Sequence, residues 1–230
     1  MYNKTAHKKS AHGKTAKHKL AAATLLLTMT VFGSVFGTTA SQAGQNANPW
    51  MQTGGRTSQP VGHYDFCKQY KKECNQTSRN EAPLKLTQGL WNKIVQVNAQ
   101  VNTAIMPRTD MEMWGKEEVW SYPTQYGDCE DYVLLKRRML INAGFPVNTL
   151  LITVVRQNNG EGHAVLTVRT DRGDFILDNL EDSVKNWNQT DYTYLKRQSA
   201  RHTGQWVDIH NAPQMLLSDI PTSALERRVP

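Results

Sequence analysis

Apolar side chains recur every three or four residues between positions 87 and 107, which predicts one buried face of a helix. The members of this face are Leu90, Ile94, Val97, Val101 and Ile105. Thr87 can cap the free backbone N–H groups at the start. Pro107 stops the helix because its ring clashes with the preceding turn. We therefore predict a helix between these two residues, with its apolar face in the core.

A second helix is predicted to begin at or near Cys129, after the turn residues Gly127 and Asp128, and to end at residues 142–144. The pattern then changes to the alternation and β-branched content of strands. Strands are predicted at residues 149–156, 163–169 and 175–178, and turn sequences separate them. These runs predict an antiparallel meander packed on the Cys129 helix.

The remaining stretches carry weaker patterns. Residues 44–62 are polar and rich in glycine and proline, which predicts a flexible lead-in, with Trp50 attaching it to the domain. Residues 184–187 resemble a short helix, and residues 192–197 and 206–209 resemble strands. Residues 63–230 are long enough for one core and too short for two, so we predict a single domain there.

The N-terminal segment has the layout of a secretory signal. Residues 1–19 hold six lysines and no acid, and residues 20–37 carry no charge. Small residues at Thr38, Ala40, Ser41 and Ala43 fit cleavage after Ala40 or Ala43. An uncleaved membrane anchor is the alternative, because the uncharged run is nearly long enough to span a bilayer of about 30 Å. We expect export through a signal peptide at residues 1–43.

Removal of this segment changes the charge of the protein. The whole chain carries 27 basic and 20 acidic residues, a net charge of +7. The loss of six lysines leaves residues 44–230 at +1. Nucleic-acid binding requires clustered basic residues, so this nearly neutral remainder argues against it.

The chain has three cysteines. Cys67 and Cys74 are seven residues apart and can form a disulfide in an oxidising compartment. Two reduced thiols or a metal site are the alternatives, although no further ligands occur at metal-binding spacing. Cys129 is left over, and an unpaired cysteine in an exported protein suggests a reactive thiol rather than a small buried side chain.

Three residues offer the chemistry of a thiol protease. Cys129 at a helix start is a candidate nucleophile, because the helix dipole stabilises a thiolate. His163 begins one predicted strand and is the candidate base, and Asp178 ends the adjacent strand and could orient it. The turn between the strands can bring His163 and Asp178 together at one edge of the sheet.

Five blocks around these residues occur in an order that resembles the bacterial transglutaminase-like cysteine proteinases, typified by the periplasmic LapG proteases. The blocks are Trp120-Ser121-Tyr122-Pro123, Gly127-Asp128-Cys129-Glu130-Asp131-Tyr132, Lys136-Arg137, Gly162-His163-Ala164-Val165-Leu166 and Leu177-Asp178-Asn179. The resemblance implies a papain-like α+β fold, with Cys129 as nucleophile, His163 as base and Asp178 as orienting residue. It also implies a large surface adhesin as substrate, cut near paired alanines, and an inner-membrane cyclic di-GMP receptor that sequesters the protease in the periplasm.

The family resemblance further implies calcium dependence, with ligands among Asp128, Glu130 and Asp131. These acids would otherwise oppose a thiolate at Cys129. Their spacing does not match an EF-hand loop, and helix capping by Asp128 or Asp131 is the alternative. The Cys129 backbone N–H is a natural oxyanion donor at a helix start, and the Trp120 indole is a second candidate.

Other functions use the same residues. A transglutaminase or a cell-wall amidase would use the same cysteine, histidine and aspartate with a different acyl donor or acceptor. A non-catalytic binding module would keep the fold and lack activity. Cleavage of an adhesin fragment distinguishes the protease from these alternatives.

Overall fold

The computed structural model describes residues 48–210, in which helices pack on one side of a twisted antiparallel sheet. The helices are α1 (Val61–Gln69), α2 (Lys71–Cys74), α3 (Gln88–Ala104), α4 (Asp110–Trp114) and α5 (Cys129–Asn142). The strands are β1 (Thr53–Thr57), β2 (Met106–Pro107), β3 (Tyr126–Gly127), β4 (Leu150–Arg156), β5 (Gly162–Thr170), β6 (Gly173–Leu177), β7 (Lys185–Asn186), β8 (Thr193–Gln198) and β9 (Trp206–Ile209). The predicted signal at residues 1–43 lies outside the described residues, as does the chain after residue 210.

Seven strands form the main sheet, in the order β1-β9-β8-β4-β5-β6-β7, and every neighbouring pair is antiparallel. Strands β4, β5 and β6 are the predicted meander. Strands β2 and β3 form a separate two-stranded parallel sheet. The α+β prediction is confirmed.

The two predicted helices are confirmed. Helix α3 begins after Thr87, whose side chain accepts a hydrogen bond from the Leu90 backbone N–H (3.3 Å). Its predicted apolar face is buried at Ile94, Val97 and Val101. Helix α5 begins at Cys129 and packs on β5 and β4. These contacts fix the start of α5 against the middle of the sheet.

Alternate side chains of each strand point to opposite sides of the sheet, and buried apolar side chains lie on both faces. The helix-side core joins α3 and α5 to the sheet through Ile94, Val101, Val133, Leu134, Leu150, Ile152, Leu166 and Leu177. The opposite face carries a smaller cluster made of Met51, Val155, Val165, Ile176, Trp187, Tyr194 and Ile209. The nearly continuous apolar runs of β4 and β5 reflect burial on both faces.

Two predictions are corrected by the structure. The stretch 44–62 was predicted to be flexible, but Thr53–Thr57 within it form the edge strand β1, paired with β9. Gly54 and Gly55 interrupt the alternation of side chains that would predict β1, so only the backbone pairing reveals the strand. The short helix predicted at residues 184–187 is displaced, because Lys185 and Asn186 pair with β6 and a 3-10 helix follows at Trp187–Gln189. Trp50 donates its indole N–H to the Thr170 carbonyl oxygen (3.0 Å), which attaches this stretch to β5.

Cys67 and Cys74 form a disulfide that joins α1 to α2, with Cα atoms 5.6 Å apart. The predicted bridge is therefore present, and Cys129 is the free thiol. Within residues 48–210, none of the helices is both long enough and apolar enough to cross a membrane.

Candidate active site

Cys129 is the first residue of α5 and is half-buried. Helix α5 packs on β5, and the Ala164 backbone N–H of that strand is near enough to Cys129 to favour its thiolate, although burial outweighs this effect on the thiol pKa. Ala164 directly follows His163 in β5. The structure thus places the free cysteine on the helix that packs against the strand carrying the candidate base.

His163 and Asp178 form a buried hydrogen-bonded pair, with 2.8 Å between His163 Nε2 and Asp178 Oδ1. The register explains the pairing. Leu166 lies opposite Leu177, so Asp178 extends the ladder to the position opposite Val165. Residues 163 and 165 face the same side of the sheet, and diagonal neighbours of this kind are within side-chain reach. The predicted meeting of His163 and Asp178 at one edge is present.

Asp178 receives further hydrogen bonds. The Leu180 backbone N–H donates to Oδ1 (3.0 Å), and the Tyr192 hydroxyl donates to Oδ2 (2.6 Å). Burial opposes the charged carboxylate, but the hydrogen bonds from His163 and Tyr192 outweigh it and hold the Asp178 pKa below its usual value. Asp178 is therefore an anion held in one orientation, as an orienting residue requires.

The Cys129 thiol is surrounded by acidic groups. It donates a hydrogen bond to Glu130 Oε2 (3.1 Å). Burial raises the pKa of the thiol well above its usual value, and the negative charges of Glu130 and Asp128 add to the shift. These carboxylates oppose the thiolate that the start of a helix would otherwise favour.

Asp110, Asp128 and Glu130 form a compact carboxylate cluster, in which one oxygen from each lies within 4.8 Å of the others. Burial is the largest cause of the raised pKa values, about 6 for Asp110 and about 9 for Glu130, and the charge of Asp128 adds to both. Oδ1 of Asp110 and Oδ1 of Asp128 are buried without a hydrogen-bond partner. A carboxylate cluster whose members include two buried oxygens without partners suits a hard cation, so these residues fit calcium.

The predicted ligand set overlaps with this cluster without matching it. Asp128 and Glu130 belong to the cluster, and Asp128 makes no capping hydrogen bond to α5. Asp131 instead accepts a hydrogen bond from the Ser121 backbone N–H (2.7 Å) and is fully buried. Burial raises its pKa to about 7. Asp131 thus holds the 120–123 segment against the start of α5.

Trp120 is buried, and its ring packs edge-on against His63 (5.3 Å between centroids). Its indole N–H donates to Glu118 Oε2 (3.2 Å). Glu118 has a φ of 59°, a backbone conformation that non-glycine residues rarely adopt. The indole is thus bonded to a carboxylate in this structure, and its role as an oxyanion donor stays a prediction.

Two site residues were missed from the sequence. Asp110 comes from α4, whose capping box between Thr109 and Glu112 is a recognisable helix signal. That signal predicts the helix and not the contact with Asp128. For Tyr192, the sequence pattern predicts only the start of a strand. Neither residue belongs to a short motif, so the sequence contains no direct signal for either contact.

A free cysteine at a helix start, packed on an antiparallel sheet beside a histidine–aspartate pair, defines the class of papain-like thiol enzymes. The family profile of the bacterial transglutaminase-like cysteine proteinases matches residues 53–214. The chain therefore belongs to this family of cysteine proteinases, and the resemblance identified from the motifs is confirmed.

Solved structures of Legionella pneumophila LapG are similar to this chain. One shares 26% identity and covers 51% of this chain and 68% of that chain, with a TM-score of 0.44. A calcium-bound form shares 22% identity and covers 60% and 80%, with a TM-score of 0.45. An EGTA-treated form shares 26% identity and covers 51% and 67%, with a TM-score of 0.44. The search of curated proteins gives no match.

Proposed function

We propose that this protein is a calcium-dependent endopeptidase with Cys129 as nucleophile, His163 as general base and Asp178 as orienting residue. One observation carries the proposal. The free thiol of Cys129 lies at the start of α5, which packs on β5, the strand whose His163 Nε2 is bonded to Asp178 Oδ1 at 2.8 Å. Membership of the cysteine proteinase family supports the peptide bond as the target.

The mechanism follows from this geometry. Because Nε2 of His163 is bonded to Asp178, Nδ1 is the ring nitrogen left to accept the thiol proton. The thiolate attacks the substrate carbonyl carbon, and the Cys129 backbone N–H at the helix start stabilises the oxyanion. His163 then returns the proton to the leaving amine, and water hydrolyses the acyl-enzyme. Asp178 stays ionised and stabilises the protonated imidazole throughout.

Asp110, Asp128 and Glu130 are the residues that would hold calcium. Bound calcium would supply positive charge next to carboxylates that otherwise oppose a thiolate at Cys129. The two buried oxygens without partners support this assignment. Within the protein, Asp110 connects the cluster to the chain before β3, because it accepts a hydrogen bond from the Val119 backbone N–H.

The substrate and location are proposed from the motif resemblance. The protein acts in the periplasm on the N-terminal region of a large surface adhesin, and cleavage near paired alanines releases the adhesin and promotes biofilm dispersal. An inner-membrane cyclic di-GMP receptor is the proposed inhibitor by sequestration. The lysine-rich start and the uncharged run at residues 20–37 support export.

Cleavage of a purified adhesin N-terminal fragment tests the proposal. With calcium, we expect one major cut near paired alanines. Cys129→Ala should reduce the rate at least about a thousandfold, because loss of the nucleophile leaves only residual catalysis. Chelator should also reduce the rate, because the carboxylates without calcium oppose the thiolate. Lack of cleavage in calcium would contradict the proposal. Incorporation of a labelled amine into the fragment instead would identify a transglutaminase.

A further inference from the structure

Tyr192 contacts both members of the histidine–aspartate pair. Its hydroxyl donates to Asp178 Oδ2 (2.6 Å), and its ring lies 5.5 Å from the His163 ring, measured between centroids. The other oxygen, Asp178 Oδ1, accepts hydrogen bonds from His163 and from the Leu180 backbone N–H. Each carboxylate oxygen therefore has its own donors, and Tyr192 supplies the one at Oδ2.

The sheet register places Tyr192 at this site from a distant part of the chain. Thr193, the next residue, pairs with Arg156 of β4, and Arg156 pairs with Gly162 of β5. The start of β8, the end of β4 and the start of β5 therefore lie side by side, next to His163. The position of Tyr192 depends on β8 pairing with β4, independently of the hairpin that brings His163 to Asp178.

We propose that Tyr192 is a positioning residue that holds the Asp178 carboxylate with Oδ1 directed at His163. The inference rests on the proposed roles of Cys129, His163 and Asp178. Tyr192 acts through Asp178 and does not contact the reacting sulfur. Without its hydroxyl, the carboxylate can rotate about its last side-chain bond, and His163 loses its fixed orientation toward the thiol.

The hydrogen bonds and the cavity around Asp178 determine how much rate is lost when the Tyr192 hydroxyl is removed. Loss of a hydrogen bond to a charged group corresponds to about a tenfold change or more. Asp178 and Tyr192 also line an open cavity of about 90 Å³. Water can enter from this cavity and partly replace the missing hydroxyl. We therefore expect a loss of about tenfold in rate, without unfolding.

Tyr192→Phe removes only the hydroxyl, and Tyr194→Phe is the matched control. Tyr194 is a nearby tyrosine whose hydroxyl bonds to Thr190 Oγ1 (2.9 Å) and not to Asp178. The readout is alkylation of Cys129 by iodoacetamide in saturating calcium, which requires no substrate. Cys67 and Cys74 are bridged, so Cys129 is the thiol that reacts. We expect Tyr192→Phe to react about tenfold more slowly than wild type and Tyr194→Phe to react at the wild-type rate.

A double-mutant cycle shows whether Tyr192 acts through Asp178. In the Asp178→Ala background, Tyr192→Phe should cause no further loss, because the group it positions is absent. An additive loss, or equal rates for Tyr192→Phe and Tyr194→Phe, would overturn the inference.

His163→Ala separates this inference from the proposed function. If His163→Ala reacts as fast as wild type, both proposals fail. If His163→Ala is slow and Tyr192→Phe is not, only the role of Tyr192 fails. Thermal melting of each variant confirms that the folded protein is being compared.

Discussion

Three carboxylates at the start of α5 are costly to keep together. Asp110, Asp128 and Glu130 are at least partly buried, and Oδ1 of Asp110 and Oδ1 of Asp128 have no hydrogen-bond partner. Burial and mutual repulsion raise their pKa values, so some of them are protonated near neutral pH when no cation is present. A divalent cation removes the repulsion and satisfies the free oxygens. Binding of the proposed calcium ion would therefore be linked to ionisation of the cluster.

Asp110→Asn tests this linkage at a single residue. Removing one charged ligand should weaken calcium binding at least about tenfold. The melting temperature without calcium should rise, because less like charge is crowded together. Calorimetric titration and thermal melting with and without calcium measure the two effects. Glu112→Gln is the control, since it removes a charge from the same helix outside the cluster and can keep the capping box. Equal calcium affinities for the two variants would contradict the assignment.

The start of α5 is held by close packing with the preceding loop. A Cβ atom on Gly127 would lie 2.8 Å from Asp131 Cβ and 3.1 Å from Pro123 Cβ. Asp131 in turn binds the Ser121 backbone N–H. The loop and the helix can approach this closely only because residue 127 has no side chain. The glycine two residues before the cysteine therefore serves the packing around the thiol.

Gly127→Ala should disturb this element without changing any charged or catalytic group. We expect a destabilisation of about 1–3 kcal/mol from overpacking, together with slower Cys129 alkylation. Gly55→Ala is the matched control, because a Cβ there meets no atom within 4 Å. Its free energy of unfolding should stay within about 0.5 kcal/mol of wild type. Urea denaturation compares the variants, and equal stabilities would show that the loop is free to move away.

At the scale of the molecule, His63 connects the N-terminal helices to the sheet. It lies in α1, is almost fully buried, and its Nδ1 accepts a hydrogen bond from the Trp206 indole N–H of β9 (3.2 Å). Its ring also packs against Trp120, which precedes the active-site helix. Burial lowers the pKa of His63 to about 3, and the positive charge of Arg137 adds to the shift. The folded protein therefore keeps this histidine neutral.

This buried histidine makes the stability of the molecule depend on pH. An unfolded chain binds a proton at His63 below about pH 6.5, and the folded chain does so only near pH 3. The contribution of His63 to the free energy of unfolding is therefore fully present above pH 6.5. Below pH 6.5 it falls by about 1.4 kcal/mol per pH unit. The raised carboxyl pKa values of the acidic cluster make stability change with pH in the opposite direction. The pH dependence due to His63 is therefore measured by comparison with a variant that lacks this histidine.

The His63→Gln variant should lack the part of the pH dependence of stability that is due to His63. Between pH 7 and pH 5, wild type should lose about 2 kcal/mol more stability than the variant, whatever their absolute stabilities. Urea denaturation at the two pH values in saturating calcium provides the measurement. Parallel pH profiles would show that His63 is accessible to protons in the folded state.

Much of the architecture follows from local sequence. The periodicity and cap of α3, the turn residues before α5, and the turns between β4, β5 and β6 were sufficient to predict these elements. Helix periodicity and turn chemistry involve residues within about four positions of one another, so the sequence determines them directly. The pairing of Cys67 with Cys74 is also local, since α1 and α2 are adjacent. The His163–Asp178 pair could be predicted because a single hairpin connects its members.

Only the tertiary structure revealed the remaining features. Asp110 meets Asp128 across 18 residues of chain, and Tyr192 reaches Asp178 only because β8 pairs with β4. The strand at Thr53–Thr57 exists because β9 offers it a partner. These contacts depend on how distant elements dock, and docking is decided by the shape of the whole core. The sequence thus determined the cysteine helix and its hairpin, and the tertiary structure decided which acids and which tyrosine surround them.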